Sequence, residues 1–187
     1  LHPIIQTAVL HAQFEMIHPF LDGNGRMGRL LITLFLASKK ILHTPCLYIS
    51  AYLQRHRGAY YASLAKISKN NDWNTWISFF LRAVVEHSKA NASLLMKMTD
   101  LYEISKTQFA EATNSSLAME LLDYLFAQPI FTVPNLINQT KVKASKATLL
   151  LAVQKLEKAG LVTKISEGRG RRPTVWKFGA LVDLIQD

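Results

Sequence analysis

Between His18 and Arg29 the chain sets an imidazole, a carboxylate, three glycines and two guanidinium groups in the run His-Pro-Phe-Leu-Asp-Gly-Asn-Gly-Arg-Met-Gly-Arg. No other stretch crowds so much potential chemistry together. Pro19 disfavours helical geometry for the residue before it, so His18 is expected to leave a preceding helix and present its ring in a loop. Asp22-Gly23-Asn24-Gly25 has turn and cap composition, and Arg26 to Ser38 is apolar enough to read as a helix. A glycine-rich loop that opens a helix offers unpaired backbone N–H groups and the positive end of the helix dipole to an anion. Arg26 and Arg29 lie three apart, on one side of the first turn, where both forks reach a polyphosphate. Asp22 beside such an anion calls for a cation between them, and an oxygen-ligated Mg²⁺ bridging phosphates meets that need. Histidine is the side chain suited to proton abstraction near neutral pH, which makes His18 the candidate general base. The competing explanation is that His18 and Asp22 cap adjacent helices while the arginines solvate a surface.

These residues need elements to hold them. Pro3 to Ile17 has helical spacing, with Pro3 suited to a first turn, and this helix delivers His18. His11, Glu15 and His18 fall at i, i+4 and i+7. Pro19 takes His18 out of that register, so the trio is not expected to bind a metal, and His11 is expected to be a core histidine. Phe20 is expected to anchor the loop beneath His18. Lys39 to Pro45 breaks the pattern, and Gln54 to Lys69 resumes it through Tyr60, Leu64 and Ile67. Tyr60 and Tyr61 either stack on an adenine or pack in a core. Asn71-Asp72-Trp73 caps a helix running to about His87, with Trp76, Phe79, Phe80 and Val84 as its apolar stripe. A more polar helix from Ser88 to about Ala112 is expected to connect two domains.

The twelve-residue run resembles the signature of the Fic family, HPF-x-[DE]-GN-G-R-x-x-R, at each specified position. The resemblance extends more weakly over residues 1–90, through the Tyr60-Tyr61 pair and Asp72-Trp73 with Trp76 to Leu81. It implies transfer of AMP from ATP to a Ser, Thr or Tyr hydroxyl of a target protein. By that resemblance His18 deprotonates the hydroxyl, Asp22 holds Mg²⁺, Gly23, Asn24 and Gly25 cradle phosphates, Arg26 and Arg29 bind the triphosphate, and Tyr60 and Tyr61 line the nucleotide site. In that family a β-hairpin flap precedes the helix leading into the motif, so flap and first helices are expected to be missing from the chain as given, which is then expected to bind nucleotide weakly or to be inactive; an inhibitory helix, where the parent protein has one, is expected upstream of Leu1. Thr163-Lys164-Ile165-Ser166-Glu167-Gly168 matches the letters of the inhibitory motif but runs from an expected strand, and is read as coincidence.

From Ser115 the organisation changes. Ser116 to Ala127, Thr132 to Asn138 and Lys146 to Ala159 read as helices, the last capped by Ser145 and closed by Gly160. Leu161 to Ile165 and Thr174 to Phe178 are strand-like runs on either side of a basic loop. This layout resembles a winged helix-turn-helix. The ten basic residues between Lys141 and Lys177 face only Glu157 and Glu167, which invites a polyanion. Lys143, Lys146, Arg169, Arg171 and Arg172 are the candidate DNA contacts; protein contact or homodimerisation is the competing use.

The expectation is thus a mainly α chain. A Fic-type helical core lacking its N-terminal part occupies 1–90, a helical connector 91–114, and a small α+β winged-helix domain 115–187. Of the 187 residues, 49% are hydrophobic, ample for a core. The apolar run Leu30 to Ala37 is too short to span a bilayer. Absence of a secretion signal and the single Cys46 point to a cytoplasmic setting. The rival to an adenylyltransferase is a DNA-binding transcriptional regulator with a nucleotide-sensing or vestigial Fic module.

Overall fold

The computed structural model describes residues 1–44, 47, 49–139, 144–170 and 172–186. The chain is mostly helical with one small three-stranded sheet, and it divides into two compact units, Leu1–Ala92 and Ser93–Asp187.

The first unit contains α1 (Pro3–Ile17), α2 (Asn24–Ser38), α3 (Ser50–Arg55), α4 (Arg57–Asn70) and the start of α5 (Trp73–Thr113). Pro3 opens α1, and the His2 ring accepts the Ile4 N–H at 3.3 Å as a cap. On α1, Ala8 and Ala12 are fully buried, and such small side chains let the backbones of α1 and α2 approach closely. Ile32 and Leu36 of α2 meet Trp76 and Phe80 of α5 in this core. The Trp76 indole N–H, buried and so in need of an acceptor, donates to the Ala8 carbonyl at 2.8 Å. Thr33 likewise donates to the Leu47 carbonyl at 2.7 Å and ties α2 to the connection that follows it. Asp72 caps α5 by accepting from both the backbone N–H and the hydroxyl of Thr75.

Two helices meet at His56, where φ is −106° and ψ 32°, so the expected single helix Gln54 to Lys69 is split into α3 and α4. The break expected near His87 and Ser88 does not occur. No Gly or Pro interrupts 73–113, and α5 runs through as one helix. Residues 91–114, expected as a connector, give Phe109 to the core of the second unit, where it meets Phe178 edge-on at 5.6 Å.

The second unit continues with α6 (Ala118–Ala127), β1 (Ile130–Phe131), α7 (Val133–Gln139), α8 (Lys146–Lys158), β2 (Thr163–Ser166), β3 (Val175–Lys177) and α9 (Gly179–Gln186). The sheet is antiparallel in the order β1-β3-β2. Trp176 is opposite both Phe131 and Lys164, and the Lys164 ammonium lies 5.1 Å from the Trp176 ring centre. Leu121, Leu125, Leu149, Leu156 and Phe178 fill the core beneath. Arg169 and Arg172 exchange backbone hydrogen bonds at 3.1 Å, with Gly170 between them at φ +59°, which closes a tight hairpin turn. Thr163 to Ser166 is strand, so the letters that mimic an inhibitory helix do not lie on one.

Candidate active site

His18 terminates α1. Its N–H bonds the Phe14 carbonyl at 3.0 Å and its backbone takes the left-handed conformation, φ 49° and ψ 56°, typical of the residue just past a helix end. The side chain is exposed. The loop that follows is held from beneath by Asn24, which is only 2% exposed. Its Oδ1 accepts from the Phe20 N–H at 2.9 Å, and its Nδ2 donates to the Phe20 carbonyl at 2.6 Å. The amide therefore clamps the loop as a second strand would. The Phe20 ring, about half exposed, leans on Phe14 at 6.3 Å.

Gly23 caps α2 at φ +83°, a conformation glycine takes without a Cβ penalty. The first intrahelical bond runs from Met27 N–H to the Gly23 carbonyl. The N–H groups of Asn24, Gly25 and Arg26 thus precede the helical ladder and point out of its open end. Asp22 sits at that mouth. One carboxylate oxygen accepts from the Gly23 N–H at 2.6 Å, and the other lies 3.6 Å from the Arg26 guanidinium, with both side chains well exposed. A freely accessible carboxylate at an anion mouth has the donor chemistry of a Mg²⁺ site shared with phosphate oxygens. Among the described residues no cluster of three or more ligating side chains is present, so the phosphates themselves would complete such a site.

Arg26 and Arg29 line a common cavity of about 230 Å³ with Ser50. Arg29 also borders a second cavity of about 500 Å³, whose walls include Gln54, Arg57, Tyr60 and Tyr61. The two spaces share Arg29 and Ser50 in their linings.

The tyrosines part ways. Tyr61 is 55% exposed, with the Arg57 guanidinium 5.6 Å from its ring centre. Tyr60 is only 7% exposed and packs against Trp76 and Phe79. Of the two uses the sequence leaves open, Tyr60 has core packing while still bordering the cavity, and Tyr61 keeps an exposed ring. Burial, together with the charges of Glu15 and Tyr61, pushes the Tyr60 hydroxyl pKa up, against a smaller opposing effect of Arg29.

Tyr60 is fixed by His11. The fully buried His11 ring places Nδ1 3.0 Å from the Gly28 carbonyl and Nε2 3.0 Å from the Tyr60 hydroxyl. A carbonyl only accepts, so Nδ1 carries the proton and Nε2 accepts from Tyr60. Burial pushes the His11 pKa down to about 4, with the Gly28 hydrogen bond raising it and Arg29 lowering it. His11 is therefore neutral at physiological pH and links α1, α2 and α4.

Sequence reasoning missed two residues that shape the site. A Cβ built on Gly28 would overlap Oε1 of Glu15 and would sit 3.1 Å from His11 Cε1 and 3.2 Å from Phe14 Cδ1. A side chain here would force Glu15, and by a few tenths of an ångström His11 and Phe14, to give way. The signal was present, because glycine inside a helix costs about 1 kcal/mol and so marks a close approach. Glu15 holds a buried Oε1 without a hydrogen-bond partner. Burial raises its carboxyl pKa, and the nearby His18 and Arg29 lower it.

Comparison with known proteins bears on this arrangement. Residues 1–36 match the Fic/DOC family. The Fic/DOC match covers α1, the whole loop and most of α2, which are the elements that carry His18, Asp22 and both motif arginines. A probable protein adenylyltransferase of Aquifex aeolicus (strain VF5) is 40% identical over 58 residues, 29% of this chain and 18% of that protein. The protein adenylyltransferases fic-1 of Caenorhabditis briggsae and Caenorhabditis elegans are each 34% identical over 89 residues, 48% of this chain and 15% of theirs. The matches thus span less than a fifth of the curated relatives' length. A solved Fic family protein from Desulfovibrio desulfuricans G20 aligns over 95% of this chain and 50% of its own, at 22% identity and a TM-score of 0.49.

In the second unit, Lys146 is exposed at the start of α8, and Arg169 and Arg172 are exposed at the hairpin turn. Lys143 and Arg171 lie outside the described residues, as do Cys46 and Tyr48.

Proposed function

We propose that this chain carries the nucleotide site of a Fic-type protein adenylyltransferase, acting on Mg-ATP and a Ser, Thr or Tyr hydroxyl of a target protein. The observation that carries this reading is the run of exposed His18, open helix end and paired arginines on two cavities that both have Arg29 in their lining. The triphosphate lies across the N–H groups of Gly25 and its neighbours, where the helix end and the two guanidinium groups compensate its charge. Arg57, Gln54 and the open face of Tyr61 receive the nucleoside. His18 removes the hydroxyl proton as the oxygen attacks the α-phosphorus. A new oxygen–phosphorus bond forms, the bond to the β-phosphate oxygen breaks, and pyrophosphate leaves against Arg26 and Arg29. Mg²⁺, when held by Asp22 and phosphate oxygens, supplies further neutralisation of the leaving group. Asn24 positions the loop through its two bonds to the Phe20 backbone.

The test is transfer of label from α-labelled ATP to protein targets. His18→Ala should abolish transfer while leaving ATP binding within about twofold, because the base acts on the hydroxyl and not on the nucleotide. Unchanged transfer by His18→Ala refutes the assignment.

The second unit supports a further reading, a winged helix with DNA as partner. The order helix, strand, helix, helix, strand, strand favours it, as does the exposed Arg169 and Arg172 pair at the turn between β2 and β3. The regulator alternative rests on this unit alone.

A further inference from the structure

We propose a second ligand site on the face of α4 opposite the arginine cavities, built for a planar aromatic molecule carrying one negative charge. On a helix of 100° per residue, Arg57, Tyr60 and Tyr61 share one face, while Ala59, Ala62, Ser63 and Lys66 share the opposite one. That second face, with α3 and α5, lines a half-open cleft of about 500 Å³ within the first unit. The volume falls in the range of small-molecule sites, about 300–1,000 Å³.

The floor is aromatic. Tyr52 and His56 have ring centres 4.3 Å apart, and Tyr52 and Phe79 5.9 Å apart. Ala59 and Ala62 clear the space above it, and Ser63 spends its hydroxyl on the Tyr60 carbonyl at 2.8 Å. The rim is charged, with Lys66 and Arg82 against Glu86. Among the described residues neither Lys66 nor Arg82 has a carboxylate within ion-pair distance. Two unpaired cations beside a ring-lined floor recognise an anion attached to a flat apolar body. The rings take the body, and the Arg82 fork takes a carboxylate in a bidentate pair. Glu86 on the same rim disfavours a polyphosphate, which separates this ligand class from the one at Arg26 and Arg29. The proposal does not depend on adenylyl transfer.

The probe is 2-naphthoate, titrated into the whole chain while the aromatic NMR signals of Tyr52, His56, Phe79 and Tyr61 are followed. Saturable one-to-one binding is expected, with shifts centred on Tyr52, His56 and Phe79. Lys66→Ala with Arg82→Ala, both exposed positions, should weaken it about tenfold or more, the loss expected for charge-assisted hydrogen bonds. The neutral 2-naphthalenemethanol should bind correspondingly more weakly, and Lys69→Ala, which removes one positive charge from α4 outside the cavity lining, should leave affinity unchanged. No saturable shift, shifts centred on Tyr61, or equal affinity in the double variant or for the alcohol would each overturn the proposal.

Discussion

Acidification should loosen the first unit through one residue, His11. In the unfolded chain a histidine binds its proton near 6.5, whereas burial holds folded His11 at about 4. Between those values the unfolded state binds more protons, so stability falls as pH falls through the window and levels off below it. At about 1.4 kcal/mol per pH unit, the loss reaches about 1.4 kcal/mol at pH 5.5 and about 3 kcal/mol at pH 4. A loss of that size matters against the roughly 5–15 kcal/mol of a typical domain. Glu15 works in the opposite sense. Its carboxyl pKa is raised by burial, so the folded state takes up that proton more readily and regains stability on acidification. The comparison that isolates His11 is therefore His11→Gln, which keeps Glu15, can donate to the Gly28 carbonyl and accept from Tyr60, and cannot titrate. Urea unfolding at pH 7.5, 5.5 and 4.0, read by hydrogen exchange of the α1 and α2 amides, measures both proteins. The variant should lose about 3 kcal/mol less than the wild type between the extremes. Equal pH slopes in the two proteins would refute the buried neutral histidine.

Three further outcomes follow from the same contacts. Gly28→Ala forces a methyl group onto the Glu15 carboxyl and should cost about 1–3 kcal/mol, measured by chemical denaturation; combining it with Glu15→Ala should recover part of the loss, and strict additivity would show that the two residues do not meet. Asn24→Ala removes both bonds to Phe20 and should destabilise by about 1–3 kcal/mol, with faster hydrogen exchange at the Phe20 amide; an unchanged exchange rate would dissociate Asn24 from the loop. If the second unit binds duplex DNA as proposed, Arg169→Ala with Arg172→Ala should reduce the slope of log affinity against log salt by about 2, and an unaltered slope would refute contact of the hairpin with DNA.

Some of this architecture is legible in the residues themselves. Pro3 and the Ile17-His18-Pro19 stop bound α1, and Ser145, whose hydroxyl caps the Thr148 N–H at 3.1 Å, starts α8. Local chemistry sets these limits, so local reading finds them. Strand β1 and helix α9 were not foreseen for the converse reason. Ile130 and Phe131 form a strand only because Trp176 and Lys177 pair with them from far along the chain. Helix α9 is eight residues long and starts at a glycine, too short to be marginally stable alone; it forms because Leu181 is buried in the core of its unit.

The candidate site divides along the same line. Which groups take part is written in the run from His18 to Arg29, since spacing on a helix end fixes who shares a face. What aims them is not, because it comes from contacts between helices. Tyr60 illustrates the difference. Its position in α4 allows either a core or a cavity role, and the choice is made by His11, which is 49 residues away in sequence. Once His11 must be neutral, with Nδ1 bound to Gly28, its Nε2 needs a donor, and the Tyr60 hydroxyl is the donor within reach. That pairing turns Tyr60 inward and leaves Tyr61, one residue on and about 100° around the helix, as the ring open to a ligand. A single buried acceptor thus decides which of two adjacent tyrosines on one cavity keeps an exposed ring.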